Sequence, residues 1–296
     1  MATTGTVKFF LPDCVGFVER LEVFGSDLTV VNAARVSFHK EAKILSTQDK
    51  RLLNFLAKHD HVSPFFHPQI RFRLKMPIFV AREWFRHTVG FARNEVSRRY
   101  VDSRAECWVP APGSIRERDP KLKQGSKATA VGNSFEVYSK IAAATKAAVE
   151  TYEELLASGV APEVARAILP QSMYTEFIET GSLFAYARLC ALRLDPGAQV
   201  EIRRYAGLID RALSAAFPAA WEALRVKFAG GSGAAAVTPA PAAAQAPAPA
   251  VAPTVTQPPA PPVEAQATTQ TEATQSQKEH VPDICKPGTP LYQVSC

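Results

Sequence analysis

The stretch from Glu83 to Tyr100 gathers the side chains best suited to chemistry in this chain. It holds Arg86, Arg93, Arg98 and Arg99 with His87, Glu83, Glu95 and Ser97. A guanidinium is planar and permanently charged, and it grips oxyanions through paired hydrogen bonds. Several of them around a hydroxyl make a receptor for a phosphate group. A solvated basic turn is the plainer alternative. The elements that must position these groups can be read nearby. Pro77 suits the first turn of a helix, and Ile78, Phe79, Ala81, Trp84 and Phe85 then recur at helical spacing. Gly90 marks a break. The spacing predicts a buried helix that delivers Arg86 and His87 into a loop running on to Ser97 and Arg99.

This stretch resembles the signature of the flavin-dependent thymidylate synthases. Their motif reads Arg-His-Arg, seven residues, then Ser, within a longer Arg-His-Arg…Asn-Glu-x-Ser-x-Arg-Tyr. Arg86, His87, Asn94, Glu95, Ser97, Arg99 and Tyr100 match it. Two features depart: Thr88 stands at the third position, and eight residues, Val89 to Val96, precede Ser97. Further matching blocks are Ala34 to Phe38, His59 to Phe65, Pro77 to Arg82 and Glu163 to Arg166, within about Gly16 to Phe228.

The resemblance implies a mixed α/β (α+β) unit, with a central antiparallel sheet flanked by long helices. It implies reductive methylation of dUMP to dTMP, with FAD reduced by NADPH and the carbon taken from methylene-tetrahydrofolate. It also implies a homotetramer whose active sites lie between subunits. Arg86 and His87 then contact flavin, with Arg86 also beside the nucleotide and Glu83 at the nucleotide site. Glu95 touches both ligands. Ser97, Arg98 and Arg99 fall where the family holds the dUMP phosphate, and Ser63 matches a flavin-contacting position. Arg166 looks like an arginine that reaches a neighbouring subunit's dUMP, with an intrahelical pair to Glu163 as its alternative. Arg193 looks like the arginine beside N3 of the uracil, where a fixed cation stabilises negative charge on the ring. It is the expected catalytic side chain. Ser182 and Phe184 to Arg188 cover another flavin segment, where the family often has Asn and Arg. Thr88 cannot carry the missing charge, so Arg93 is expected to fold back and supply it to the flavin. Ser97 has no His or Lys fixed beside it by sequence to make it a nucleophile. Nothing resembles the cysteine motif of the conventional thymidylate synthase.

The totals agree with a soluble enzyme of anionic substrates. The chain has 296 residues, a formal net charge of +6 and 47% hydrophobic residues, enough for a substantial core. The charge is uneven. From position 229 onward Lys278 and Lys286 stand against Glu264, Glu272, Glu279 and Asp283, a net of −2, which leaves +8 for residues 1–228. A basic globular part invites nucleotides, folates or nucleic acid. The cysteines form no CxxC pair and no Cys/His cluster, so no zinc site is indicated. No secretion signal and no membrane-spanning run appears, and a cytoplasmic location is expected.

Elsewhere the pattern predicts a strand over Gly16 to Phe24, a helix capped by Ser26-Asp27, and a helix capped by Thr47. Ile70 to Met76 is the clearest strand, with Ile70, Phe72, Leu74 and Met76 alternating with Arg71, Arg73 and Lys75. Residues 102–132 read as a long loop or lid. Helices follow from Ser134 to Gly159, from Pro162 to before Pro170, from Gly181-Ser182 through Arg193, and from about Gln199 onward. After Phe228 the Ala-, Pro-, Thr- and Gln-rich composition predicts a disordered tail over 229–296, whose last residues are a docking peptide or a tail without function. A different class of function stays open: a nucleic-acid-binding protein using Arg98, Arg99 and the Arg71, Arg73 and Lys75 strand. No GxGxxG follows a strand, so the usual dinucleotide fold has no support.

Overall fold

A computed structural model describes residues 6–101, 103–121 and 125–230, all within one compact unit. Of the tail expected over 229–296, Ala229 and Gly230 instead end a helix, and 231–296 lie outside the described residues.

Five antiparallel strands form the main sheet in the order β1-β2-β3-β7-β4. They are β1 (Val7–Phe10), β2 (Phe17–Phe24), β3 (Gln69–Pro77), β4 (Phe91–Glu95) and β7 (Tyr174–Ser182). A separate hairpin pairs β5 (Arg116–Arg118) with β6 (Ser126–Ala130). The helices are α1 (Asp27–Arg35), α2 (Thr47–Lys58), α3 (Ile78–Trp84), α4 (Ser134–Ala157), α5 (Pro162–Ala165), α6 (Leu183–Arg193), α7 (Val200–Ala216) and α8 (Pro218–Gly230).

The alternation in β3 decides which face is core. Ile70, Phe72, Leu74 and Met76 are all fully buried, in one cluster with Leu183, Tyr186 and Leu189 of α6 and Ile202, Ile209 and Leu213 of α7. The opposite face carries charge, but the charge is matched across strands. Arg71 pairs with Glu22 at 3.1 Å, Arg73 with Glu176 at 2.5 Å, and Lys75 with Glu106. Such exposed pairs contribute little stability. They do leave this strand without the free cations that a nucleic-acid patch requires.

Several boundaries differ from expectation. Ser46 caps α2, accepting from the Asp49 N–H, one residue before the expected Thr47. Gly181 and Ser182 close β7 instead of opening a helix, and Ser182 then caps α6. That strand was not anticipated because, of its inward positions Thr175, Phe177, Glu179 and Gly181, only Phe177 is large and apolar, so no sustained apolar period-two signal exists. Phe91 to Glu95, expected to be loop, is an edge strand hydrogen-bonded to β7. The last helical region is two helices, broken before Pro218, whose ring cannot continue α7. The 102–132 region contains the β5–β6 hairpin.

Among the described residues no helix is long and apolar enough to cross a membrane, and no group of His, Cys, Asp and Glu is arranged to hold a metal ion.

Candidate active site

The site is built where α3 hands the chain to β4, against the start and the end of α6. α3 ends as Phe85 N–H bonds to Ala81 and His87 N–H to the Trp84 carbonyl at 3.1 Å. The chain then turns at Gly90, whose φ of +85° suits glycine. The turn has no room to spare: a Cβ on Gly90 would meet Ala185 Cβ of α6 at 2.9 Å, and the Gly90 carbonyl accepts from Ser182 N–H at 3.2 Å. The signature segment is thereby pinned to the N-terminus of α6.

Arg193, the last residue of α6, reaches back to α3. Its Nε–H donates to His87 Nε2 at 2.9 Å, Nη2 to the Glu83 carbonyl at 3.3 Å, and Nη1 to Glu83 Oε2 at 3.5 Å. Three of the five guanidinium N–H groups are thus used, and two remain for a ligand. Because His87 Nε2 accepts, its proton resides on Nδ1. Burial, the Arg193 charge, and the charges of Arg93 and Arg188 push the His87 pKa down to about 4. The ring is therefore neutral at physiological pH, beside three cations.

Around this trio the surface is basic. Arg86, Thr88 and Arg188 are exposed, and Arg86 and Arg188 make no ion pair among the described residues. Ser63 is exposed at the start of a short 3-10 turn, and Phe66 of that turn packs on Phe184 of α6 with ring centroids 5.2 Å apart. Farther along, Glu95 ends β4 and accepts from the Thr175 hydroxyl at 2.5 Å. Ser97 begins a turn in which the Arg99 N–H points at Ser97 Oγ (3.3 Å). Arg98 donates to the Ser103 carbonyl. Arg99 lies 3.5 Å from Glu163.

The structure places three further site residues, and for Arg93 it overturns the expectation. Arg166 does not pair with Glu163; Glu163 faces Arg99, and Arg166 is exposed. The Ser182 side chain is buried and accepts from Ala185 N–H as the cap of α6, so its hydroxyl is not free for flavin. Arg93 does not fold out to replace the missing motif cation. It lies on β4 directly opposite Glu179 of β7, and its Nε–H donates to the fully buried Glu179 carboxylate. Sequence reasoning missed Glu179 altogether, and treated Trp84 only as an apolar residue. Nothing in the sequence marks Glu179 as a buried partner, since strand β7 itself was illegible.

The family described as Thymidylate synthase complementing protein matches residues 21–219. A flavin-dependent thymidylate synthase of Thermotoga neapolitana is 39% identical over 214 residues, covering 72% of this chain and 92% of the relative. One from Thermus thermophilus is 37% identical over 208 residues, covering 70% and 75%. Among solved structures, the UMP/dUMP methylase PolB from Streptomyces cacaoi, bound with 5-Br dUMP, superposes with a TM-score of 0.65. It is 30% identical, and the match covers 71% of this chain and 94% of PolB. An antiparallel α/β unit with an arginine-rich signature held against α6 thus defines a methyltransferase of nucleotides. The chain belongs to the flavin-dependent thymidylate synthase family.

Proposed function

We propose that this chain methylates C5 of dUMP to give dTMP, taking the carbon from methylene-tetrahydrofolate and using FAD reduced by NADPH. The observation that carries this reading is the Arg193 guanidinium fixed jointly by Glu83 and neutral His87. Its two remaining N–H groups would face the uracil edge. A cation placed there before the reaction stabilises charge that develops on the ring, with no reorganisation at the moment of reaction. Ser97, Arg98 and Arg99 would surround the nucleotide phosphate, with Arg86 and Glu95 beside the nucleotide. Arg166, exposed and unpaired with Glu163, is free to serve a neighbouring copy's site in a homotetramer.

The residues present suit FAD. The exposed guanidinium groups of Arg86 and Arg188, without an ion pair among the described residues, match a diphosphate. His87, Thr88, Ser63 and the backbone at Ser182 would complete the flavin site. When bound and reduced, FAD supplies the hydride. A cytoplasmic location follows from such substrates. The pairing of Arg71, Arg73 and Lys75 with carboxylates argues against a nucleic-acid partner.

The test is direct. Purified protein supplied with FAD, dUMP, methylene-tetrahydrofolate and NADPH should form dTMP, read by chromatography, and the flavin absorbance should bleach under NADPH. UMP run in parallel measures selectivity for the deoxyribose. Flavin-loaded protein that forms no dTMP would refute the reading.

A further inference from the structure

A second arginine-carboxylate arrangement lies next to the site, with the Glu179 side chain fully buried and that of Arg93 15% exposed. Trp84, the last residue of α3, is fully buried, and its indole N–H donates to both Glu179 oxygens at 3.2 and 3.1 Å. Glu179, in the middle of β7, is fully buried as well. Arg93 faces it across the β4–β7 ladder and donates to it from Nε. The Arg93 guanidinium lies 4.7 Å from the Phe91 ring centroid and 5.4 Å from that of Phe85. Its Nη2 is buried without a hydrogen-bond partner.

This arrangement is a poor choice for stability alone. Desolvating a carboxylate and a guanidinium costs several kcal/mol per ion, and apolar residues of like volume often hold a structure equally well. What it does achieve is local. Trp84 stands between Glu83 and Phe85, and its carbonyl accepts the His87 N–H. Glu83 and His87 are the two residues that hold Arg193. A tether on Trp84 therefore fixes both supports of Arg193 to the rigid centre of the sheet. Without that tether, the end of a seven-residue helix would set the guanidinium position.

We infer that Trp84, Glu179 and Arg93 form a positioning clamp that holds Glu83 and His87 where Arg193 needs them. The residue that stands in the lengthened signature thus serves the site from below, through the sheet. The inference rests on the reading of Arg193 given above, and it can fail separately from it.

Two double variants separate the clamp from simple packing. Glu179→Leu with Arg93→Met removes both charges and leaves Trp84 without an acceptor. Glu179→Gln with Arg93→Met removes the same charges but keeps a carbonyl oxygen for the indole N–H. The expected result is a drop of tenfold or more in kcat for the Leu/Met pair, with KM for dUMP and flavin content within twofold of wild type. The Gln/Met pair should recover most of that kcat. Trp84→Phe should behave like the Leu/Met pair. In nitrogen-15 spectra the Arg193 Nε–H signal, protected by its bond to His87, should persist in the Gln/Met protein and broaden in the other two. Equal kcat in the two double variants would overturn the clamp, as would loss of folded, flavin-loaded protein in all three. A wild-type protein that makes no dTMP would instead refute the proposed activity.

Discussion

Arg193 Nε–H donates to His87 Nε2 at 2.9 Å, which makes the histidine an acceptor and the arginine its dependant. Such a bond exists only while the ring is neutral. Burial, then the Arg193, Arg93 and Arg188 charges, hold the His87 pKa near 4 against an ordinary 6.5. The unfolded chain takes up this proton as pH falls through 6.5, and the folded chain does so only near 4. Stability present above pH 6.5 is therefore lost as pH falls from 6.5 towards 4. In an NMR titration the His87 ring should stay neutral through pH 6. Arg193→Met should raise its pKa part of the way to 6.5, since burial remains. A His87 that titrates near 6.5 in the wild type would disprove this account.

Removing the guanidinium should separate chemistry from cofactor binding. Arg193→Ala is expected to abolish dTMP formation while FAD remains bound. Ser97→Ala should weaken dUMP binding but leave measurable turnover, because its proposed role is to hold phosphate and, among the described residues, no base is hydrogen-bonded to its hydroxyl. Steady-state assays with flavin content measured in parallel decide both. A Ser97→Ala protein that is wholly inactive with normal dUMP affinity would mean that Ser97 reacts.

Arg99 and Glu163 make opposite predictions for one substrate. Their 3.5 Å pair is exposed on both sides, and such pairs contribute about 0–1 kcal/mol. Glu163→Ala should free Arg99 and tighten dUMP binding by at most about fivefold. Arg99→Ala should weaken it roughly tenfold to a hundredfold, the cost of about 1.5–3 kcal/mol for a charge-assisted hydrogen bond. Raised salt should shrink the Glu163→Ala effect. Weaker dUMP binding in Glu163→Ala would show that the carboxylate itself serves the nucleotide.

Local signals were readable where they follow a period or a cap. β3 announces itself because Ile70, Phe72, Leu74 and Met76 all bury on one face. The ends of α4 and α1 are marked by Gly159, with φ of +83°, and Ser26. β7 could not be read, because a central strand that buries Thr175, Phe177, Glu179 and Gly181 carries no sustained apolar alternation. Without β7, β4 has no partner and reads as loop, and Arg93 has no visible counter-charge. The site residues Glu83 and Arg193, on helices, and His87, just past the end of α3, were found through the signature and the family resemblance. Their mutual bonds are long-range and belong to the tertiary fold alone.

The boundary of the globular part is testable by truncation. α8 belongs to the core: Trp221 is buried and donates to Asp210 at 2.9 Å, and Asp27 of α1 accepts from the Ala219 and Ala220 N–H groups at 3.0 and 2.9 Å. Asp27 thus caps α8 across the fold. Protein ending at Gly230 should keep its flavin, oligomeric state and activity. Protein ending at Phe217 should not fold. Size-exclusion chromatography, absorbance and the dTMP assay read the outcome. Loss of activity on cutting after Gly230 would give residues 231–296 a role in the enzyme.

Two glycines should prove intolerant of a single added carbon, for different reasons. At Gly90 the φ of +85° strains any L side chain, and the new Cβ would meet Ala185 Cβ at 2.9 Å. At Gly181 the backbone is ordinary strand, but a Cβ would lie 2.5 Å from Phe91 Cδ1 and 2.9 Å from Tyr186 Cε2. Phe91 and Tyr186 pack edge-to-face at 4.9 Å between centroids, so neither ring can retreat without opening the β4–β7 contact. Overpacking of this kind costs about 1–3 kcal/mol. Gly181→Ala should therefore lower the unfolding free energy by about that amount and shift β4, which carries Arg93 and leads to Ser97. Gly90→Ala should move His87 as well, so its kcat should fall further than its stability. Denaturant unfolding and the dTMP assay on both variants test this. Wild-type kcat in a folded Gly90→Ala protein would show that the turn does not set the position of His87.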